Sequence, residues 1–267
     1  MNQFSILLGA LRYEFRMQIR RVAVWITMIL FICLLTTLSL RYFDAMKSFA
    51  HQDILAHLDQ FPLTDVLVQW TTNLNKLLPI GIGVLLADRL PRDRRTRVDE
   101  LFTAMPAALS ARLLGKYLGS MLATLVPYFA FYMLGVGYIL YQTHNLLALP
   151  LGLATFAAIV LPGILFISAF SLACPALLWV PLYQFCFVGY WFWGNMLSPR
   201  QGIPTLSNTI LTPIGNYMAQ GFFRVNLYTS TMPTPLEGLE SMLALIGFAI
   251  FALSVLYGYM KFQQAHA

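Results

Sequence analysis

The chain has 267 residues, of which 58% are hydrophobic and only 10% charged, and its mean hydropathy is +0.68. A soluble domain carries about 25% charged residues, so composition excludes an ordinary soluble domain and points to apolar blocks long enough to cross a bilayer. The net charge of +6 is no sign of a nucleic-acid partner, because most of the positive charge lies in the N-terminal segment and in one loop, where it orients the chain and meets the anionic headgroups of membrane lipids.

In chain order, residues 1–21 are expected to form an amphipathic interfacial helix. Phe4, Leu8, Leu11, Phe15 and Ile19 share one apolar face, and Arg12, Arg16 and Arg20 repeat beside it as a basic stripe for headgroups. A cleaved signal peptide has a short basic start and a small-residue cleavage site. This segment is long and amphipathic instead, and is expected to stay as an anchor. The first span covers residues 22–40 and runs from inside to outside, since Arg12, Arg16, Arg20 and Arg21 precede it. The connector from Arg41 to Asp65 is then external, and Asp44, Asp53, Asp59 and Asp65 outnumber Arg41 and Lys47 there. Span two is residues 66–87, and a basic cytoplasmic loop follows at 88–112. Span three is 113–141, with Gln142 to Asn145 as a short external turn, and span four is 146–173, carrying Pro150 and Pro162. Cys174-Pro175 reads as a tight inner turn into span five, 176–196, whose Tyr190, Trp191 and Trp193 form an interfacial aromatic belt. Residues 197–238 hold Pro199, Pro204, Pro213, Pro233 and Pro235 and read as an external region with half-inserted helices. Span six is 239–260. The expected fold is thus an all-α integral membrane protein of six spans in a single unit, 1–267, with both termini cytoplasmic.

The loop is the most informative stretch. Between Asp88 and Gly119 it gathers Arg89, Arg92, Arg94, Arg95, Arg97, Arg112 and Lys116, with Asp88, Asp93, Asp99 and Glu100 interleaved. So basic a connector belongs on the cytoplasmic side. Thr96 can cap a short helix, with Asp99 completing a capping box. Val98, Leu101, Phe102 and Met105 then make an apolar stripe, and Pro106 closes the helix. An amphipathic helix on a cytoplasmic loop is suited to docking against a partner.

The run RDRRTRVDELFTAMP, followed by ARLLGKYLG, resembles the intracellular loop of ABC-2 type transporter permeases, the transmembrane subunits of ABC exporters. The motif covers about an eighth of the chain, and the spacing of apolar blocks extends the likeness over nearly all of it. The resemblance implies that Thr96, Val98, Asp99, Glu100, Leu101, Phe102 and Met105 belong to a coupling helix that seats in a cleft of a separate ABC ATPase subunit. It also implies a second permease chain, identical or related, an export direction, a cell-membrane location and a bacterial source. ATP and Mg would then be bound by the partner ATPase.

The residues themselves offer little catalysis. Leu114-Gly115-Lys116-Tyr117 imitates the end of a phosphate-binding loop but lacks a glycine five positions before Gly115, and Tyr117 stands where Ser or Thr would hold magnesium. The chain is therefore expected not to be an enzyme, and to bind no cofactor or metal. Cys33, Cys174 and Cys186 sit in apolar spans without metal spacing, and His51, Asp53 and His57 match no standard site.

Lys76 requires an explanation. It lies mid-span with Gln69, Asn73 and Asn75, no acidic residue shares its depth, and a central lysine costs about 2.5–3.5 kcal/mol on insertion scales. Either these four residues line a translocation path for an amphipathic drug, lipid or peptide, or Lys76 is structural and capped by carbonyls or snorkelled. The alternative function is a non-transporting membrane protein, an immunity-type binding protein or an intramembrane enzyme. The first of these leaves the docking helix without a use, and the second needs mid-membrane acids, bases or ligands that the spans lack.

Overall fold

The computed structural model describes residues 3–34, 62–95, 108–197, 204–207, 209–225 and 232–266. Every regular element among them is a helix. The chain runs through α1 (Gln3–Ile19), α2 (Val22–Leu34), α3 (Leu63–Ala87), α4 (Arg89–Arg95) and α5 (Leu109–Thr143). It continues through α6 (Ala148–Leu177), α7 (Val180–Tyr190 continued by a π-helical turn, Trp191–Met196), α8 (Asn216–Phe223) and α9 (Pro235–His266). Among the described residues, α5, α6 and α9 are each long and apolar enough to cross a membrane, and α1 with α2, bent by 60°, makes a fourth if the pair is one broken span. α3 has 25 residues, but Gln69, Asn73, Asn75 and Lys76 reduce its apolar character. α7 is short for a bilayer.

α6 is the central helix, packed against α3, α5 and α9, while α1 lies along the first half of α5 and α8 rests on α9. One apolar core runs from Leu67 and Leu78 of α3 through Tyr128 and Tyr132 of α5 to Ile164 of α6 and Trp191 of α7. A smaller cluster of Val68, Ile159, Met218 and Leu245 joins α3, α6, α8 and α9. Apolar side chains on the outer faces, such as Phe185, Leu134, Phe251 and Ile250, are more than half exposed. That pattern suits helices surrounded by hydrocarbon.

The proline chemistry explains two local features. Pro150 lies in the first turn of α6, where its missing N–H costs no helix bond. Pro162 follows a π-helical turn at Phe156–Val160. A proline ring clashes with the carbonyl four residues back, and the wider turn relieves that clash. The π turn also carries Ile159 against Gly215, whose φ of 90° suits only glycine and whose Cβ would lie 2.6 Å from the Ile159 side chain.

Several sequence expectations are revised. Cys174-Pro175 is not a turn: α6 continues to Leu177, and the chain turns at Leu178 and Trp179, both extended. Trp191 does not belong to an aromatic belt. The π-helical turn directs it inward, where it is fully buried and donates from Nε1 to the Lys76 carbonyl at 2.7 Å. The α5 helix is longer than span three at both ends, and α9 starts four residues before span six. Thr234 and Glu237 form a reciprocal capping box there, with the Thr234 amide donating to Glu237 Oε2 at 2.6 Å and Pro235 in the first turn. The α1 helix has a third face that its apolar periodicity does not suggest. Glu14 and Gln18 are buried, Glu14 against α5, while Phe4 and Leu8 are exposed.

Candidate functional site: the polar face of α3 and the charged node at its C-terminal end

Thr96, Val98, Asp99, Glu100, Leu101, Phe102 and Met105 lie outside the described residues. The four residues expected on a translocation path are all described, and the structure divides them. Asn75 is fully buried and faces the bundle. Its Nδ2 donates to the carbonyls of Pro213 at 3.2 Å and Ile214 at 2.8 Å, which fastens the segment before α8 to the middle of α3. Gly163 admits that same strand of chain, since a Cβ there would meet the Pro213 carbonyl at 2.4 Å. Pro213 and Ile214, within the region expected to be external with half-inserted helices, therefore reach the middle of α3.

Gln69, Asn73 and Lys76 occupy the opposite side. Together with Asp65 they follow helical spacing and form one polar stripe, exposed at Asp65 and Gln69 and partly exposed at Asn73 and Lys76. Lys76 Nζ donates to Asn73 Oδ1 at 3.2 Å and has no ion pair among the described residues. Its backbone is held from the other side by Trp191. The ammonium is thus carried on a fixed stretch of helix, partly buried at the end of the stripe, with a neutral amide as neighbour. A polar stripe on an otherwise apolar surface is unfavourable against hydrocarbon and suits contact with water, a polar solute or another protein.

The C-terminal end of α3 carries a second polar cluster, which sequence reasoning missed because it hinges on Glu14. Arg89, 1% exposed, opens α4 and forms an ion pair with Glu14, itself only 5% exposed, through Nη2 and Oε1. Ser120 of α5 donates to the same carboxylate oxygen at 2.9 Å. Arg89 Nε is buried without a partner among the described residues. Burial, with Arg92 adding to it and Tyr13 opposing, lowers the Arg89 pKa to about 10, so the guanidinium remains charged at neutral pH. Lys116 of α5 pairs with Asp93 of α4. Arg21 is also lowered by burial and then by Arg92, with Asp88 acting in the opposite sense.

Glycine makes this cluster geometrically accessible. A Cβ at Gly115 would lie 2.7 Å from that of Ala10, and one at Gly119 would lie 2.7 Å from the Leu11 carbonyl and 2.8 Å from Glu14 Cβ. The GKYLG segment is a small-x3-small pattern that lets α1 and α5 touch backbone to side chain. The available signals were a single acid within a basic helix and two glycines four residues apart at the start of α5.

No protein-family model matches the chain, and no curated protein matches it either. Among the described residues no group of three or more His, Cys, Asp or Glu side chains is placed to hold a metal ion; His51, Asp53 and His57 fall outside them. The described part of the chain is a helical, membrane-type bundle whose notable chemistry is one polar outer stripe and one buried charged node.

Proposed function

We propose that this chain is the permease subunit of an ATP-driven exporter of the ABC-2 type. It crosses the membrane six times, with α2, α3, α5, α6, α7 and α9 providing the spans and both termini cytoplasmic, and α1 lies at the inner interface. The 88–112 loop carries the coupling helix, which docks into a separate ATPase subunit that binds ATP and Mg. The observation that carries this reading is the polar stripe of α3, exposed at Gln69 and partly buried at Asn73 and Lys76. Such a stripe is best accommodated where a second permease chain, identical or related, encloses a wet path against it. The loop's resemblance to ABC-2 permeases supports the coupling role, and the apolar and aromatic surroundings favour an amphipathic cargo with one polar end: a drug, a lipid or a peptide.

The test is purification of the tagged chain from the membranes of its own host, followed by identification of co-purifying subunits and measurement of ATP hydrolysis. An ATPase with a phosphate-binding loop should co-purify with the native chain and be lost on changing Leu101 and Phe102 to Asp. Native preparations without such a subunit, or a double variant that retains it with full substrate-stimulated turnover, would overturn the assignment.

A further inference from the structure

The node at the C-terminal end of α3 joins three elements that are distant in sequence. Glu14 belongs to α1, Arg89 to α4 and Ser120 to α5, and one carboxylate oxygen of Glu14 takes a hydrogen bond from each of the other two. Gly115 and Gly119 bring α1 close enough to α5 for this to happen, and the pairing of Lys116 with Asp93 ties α4 to α5 a second time. A buried ion pair adds little net stability compared with apolar side chains of similar volume, whereas removing one partner strands a buried charge. What an ion pair supplies that an apolar pair lacks is direction: the Arg89 Nη2–Glu14 Oε1 contact forms only when α1 and α4 are correctly placed.

We propose that Glu14 is a positioning residue that locks α1 to the root of the basic loop, so that α1, α4 and the inner end of α5 behave as one rigid body. A displacement of the loop root is then delivered to the interfacial helix and to α5 together. This deepens the coupling reading, but its test requires neither an ATPase nor a cargo, so failure of one is distinguishable from failure of the other.

The distance between α1 and α4 reports the lock. Spin labels are placed at Arg16→Cys and Arg92→Cys, both exposed, in the full chain with Cys33, Cys174 and Cys186 replaced by serine and reconstituted into lipid nanodiscs. Pulsed electron-spin measurements should give one narrow distance population. Glu14→Gln should add a second, longer population. A double variant, Glu14→Leu with Arg89→Met, removes both charges and should melt at or above the temperature of the native chain, yet it should also show the second population. If Glu14→Gln does not fold, the apolar double variant decides alone. A native single distance in either folded variant would overturn the proposal, because packing without the ion pair would then be sufficient to hold α1 in place.

Discussion

Asn75 and Gln69 lie six residues apart on one helix and are chemically alike, yet the structure assigns them opposite fates, and replacing each by leucine separates an anchor from a surface. The Asn75 amide faces two backbone carbonyls, Pro213 and Ile214. Only its nitrogen can serve both, which fixes the orientation of the amide. Leucine removes both donors and leaves two buried acceptors unsatisfied. An unsatisfied buried group costs about 1–3 kcal/mol, whereas hydrogen bonds between membrane helices average about 0.6 kcal/mol, with a maximum of about 1.7. The pair therefore contributes about 1–3 kcal/mol, and Asn75→Leu should lower the stability of the detergent-solubilised protein by that amount, measured by thermal unfolding. Faster hydrogen exchange should be confined to the amides of α8. Asn75→Asp should cost more when ionised, because an acceptor-only carboxylate would then face two carbonyl oxygens. Gln69→Leu, on the exposed face, should remain within about 0.5 kcal/mol. An Asn75→Leu protein with native stability and native exchange in α8 would refute the anchoring role.

Two further outcomes are expected. Lys76→Met should leave assembly and basal ATP hydrolysis intact while reducing transport or substrate-stimulated hydrolysis; transport at the native rate would make Lys76 a structural residue. Gly119→Ala should drive α1 away from α5, since the new methyl group meets the Leu11 carbonyl and Glu14 Cβ inside 3 Å, with a loss of about 1–3 kcal/mol; Gly137→Ala on the same helix has nothing within 4 Å and serves as the neutral control in the same melting assay.

The helical class and the location of the long apolar helices were legible because hydrophobic block length is a local property. α5, α6 and α9 could be located from their apolar runs alone. Turn positions were less legible. Pro175 reads as a breaker in sequence, but it continues α6 as an interior proline, as neighbouring helices permit in an apolar environment. The inward orientation of Trp191 depends on a π-helical turn, which shifts the side-chain register without leaving a sequence signal of its own. The polar residues of α3 were recognised as a group, but their division between two faces was recoverable from spacing: positions 69, 73 and 76 align on a helix and position 75 does not. Glu14 was the largest omission. Its meaning depends on Arg89, 75 residues away, and on the close approach of α1 to Gly119, which apolar periodicity in α1 alone does not express. The capping box at Thr234 and Glu237, by contrast, was readable from four consecutive residues.

Both polar clusters converge on α3, and its sequence suits a helix that links them. Near its C-terminal end, Gly81 and Gly83 let the Phe31 side chain of α2 and the Phe187 ring of α7 approach its backbone directly. Pro79 removes the N–H that the Asn75 carbonyl would otherwise receive, so the helix ladder is weakest between the packed C-terminal part and the polar N-terminal part. Trp191 reinforces the next position by holding the Lys76 carbonyl. A displacement entering at Arg89 would therefore travel along a tightly packed segment as far as Pro79. Beyond that point the orientation of Lys76 depends on the hold that α7 exerts through Trp191. Under the proposed function, packing with α7, as much as helix continuity, would determine whether a change at the loop root reaches the polar stripe.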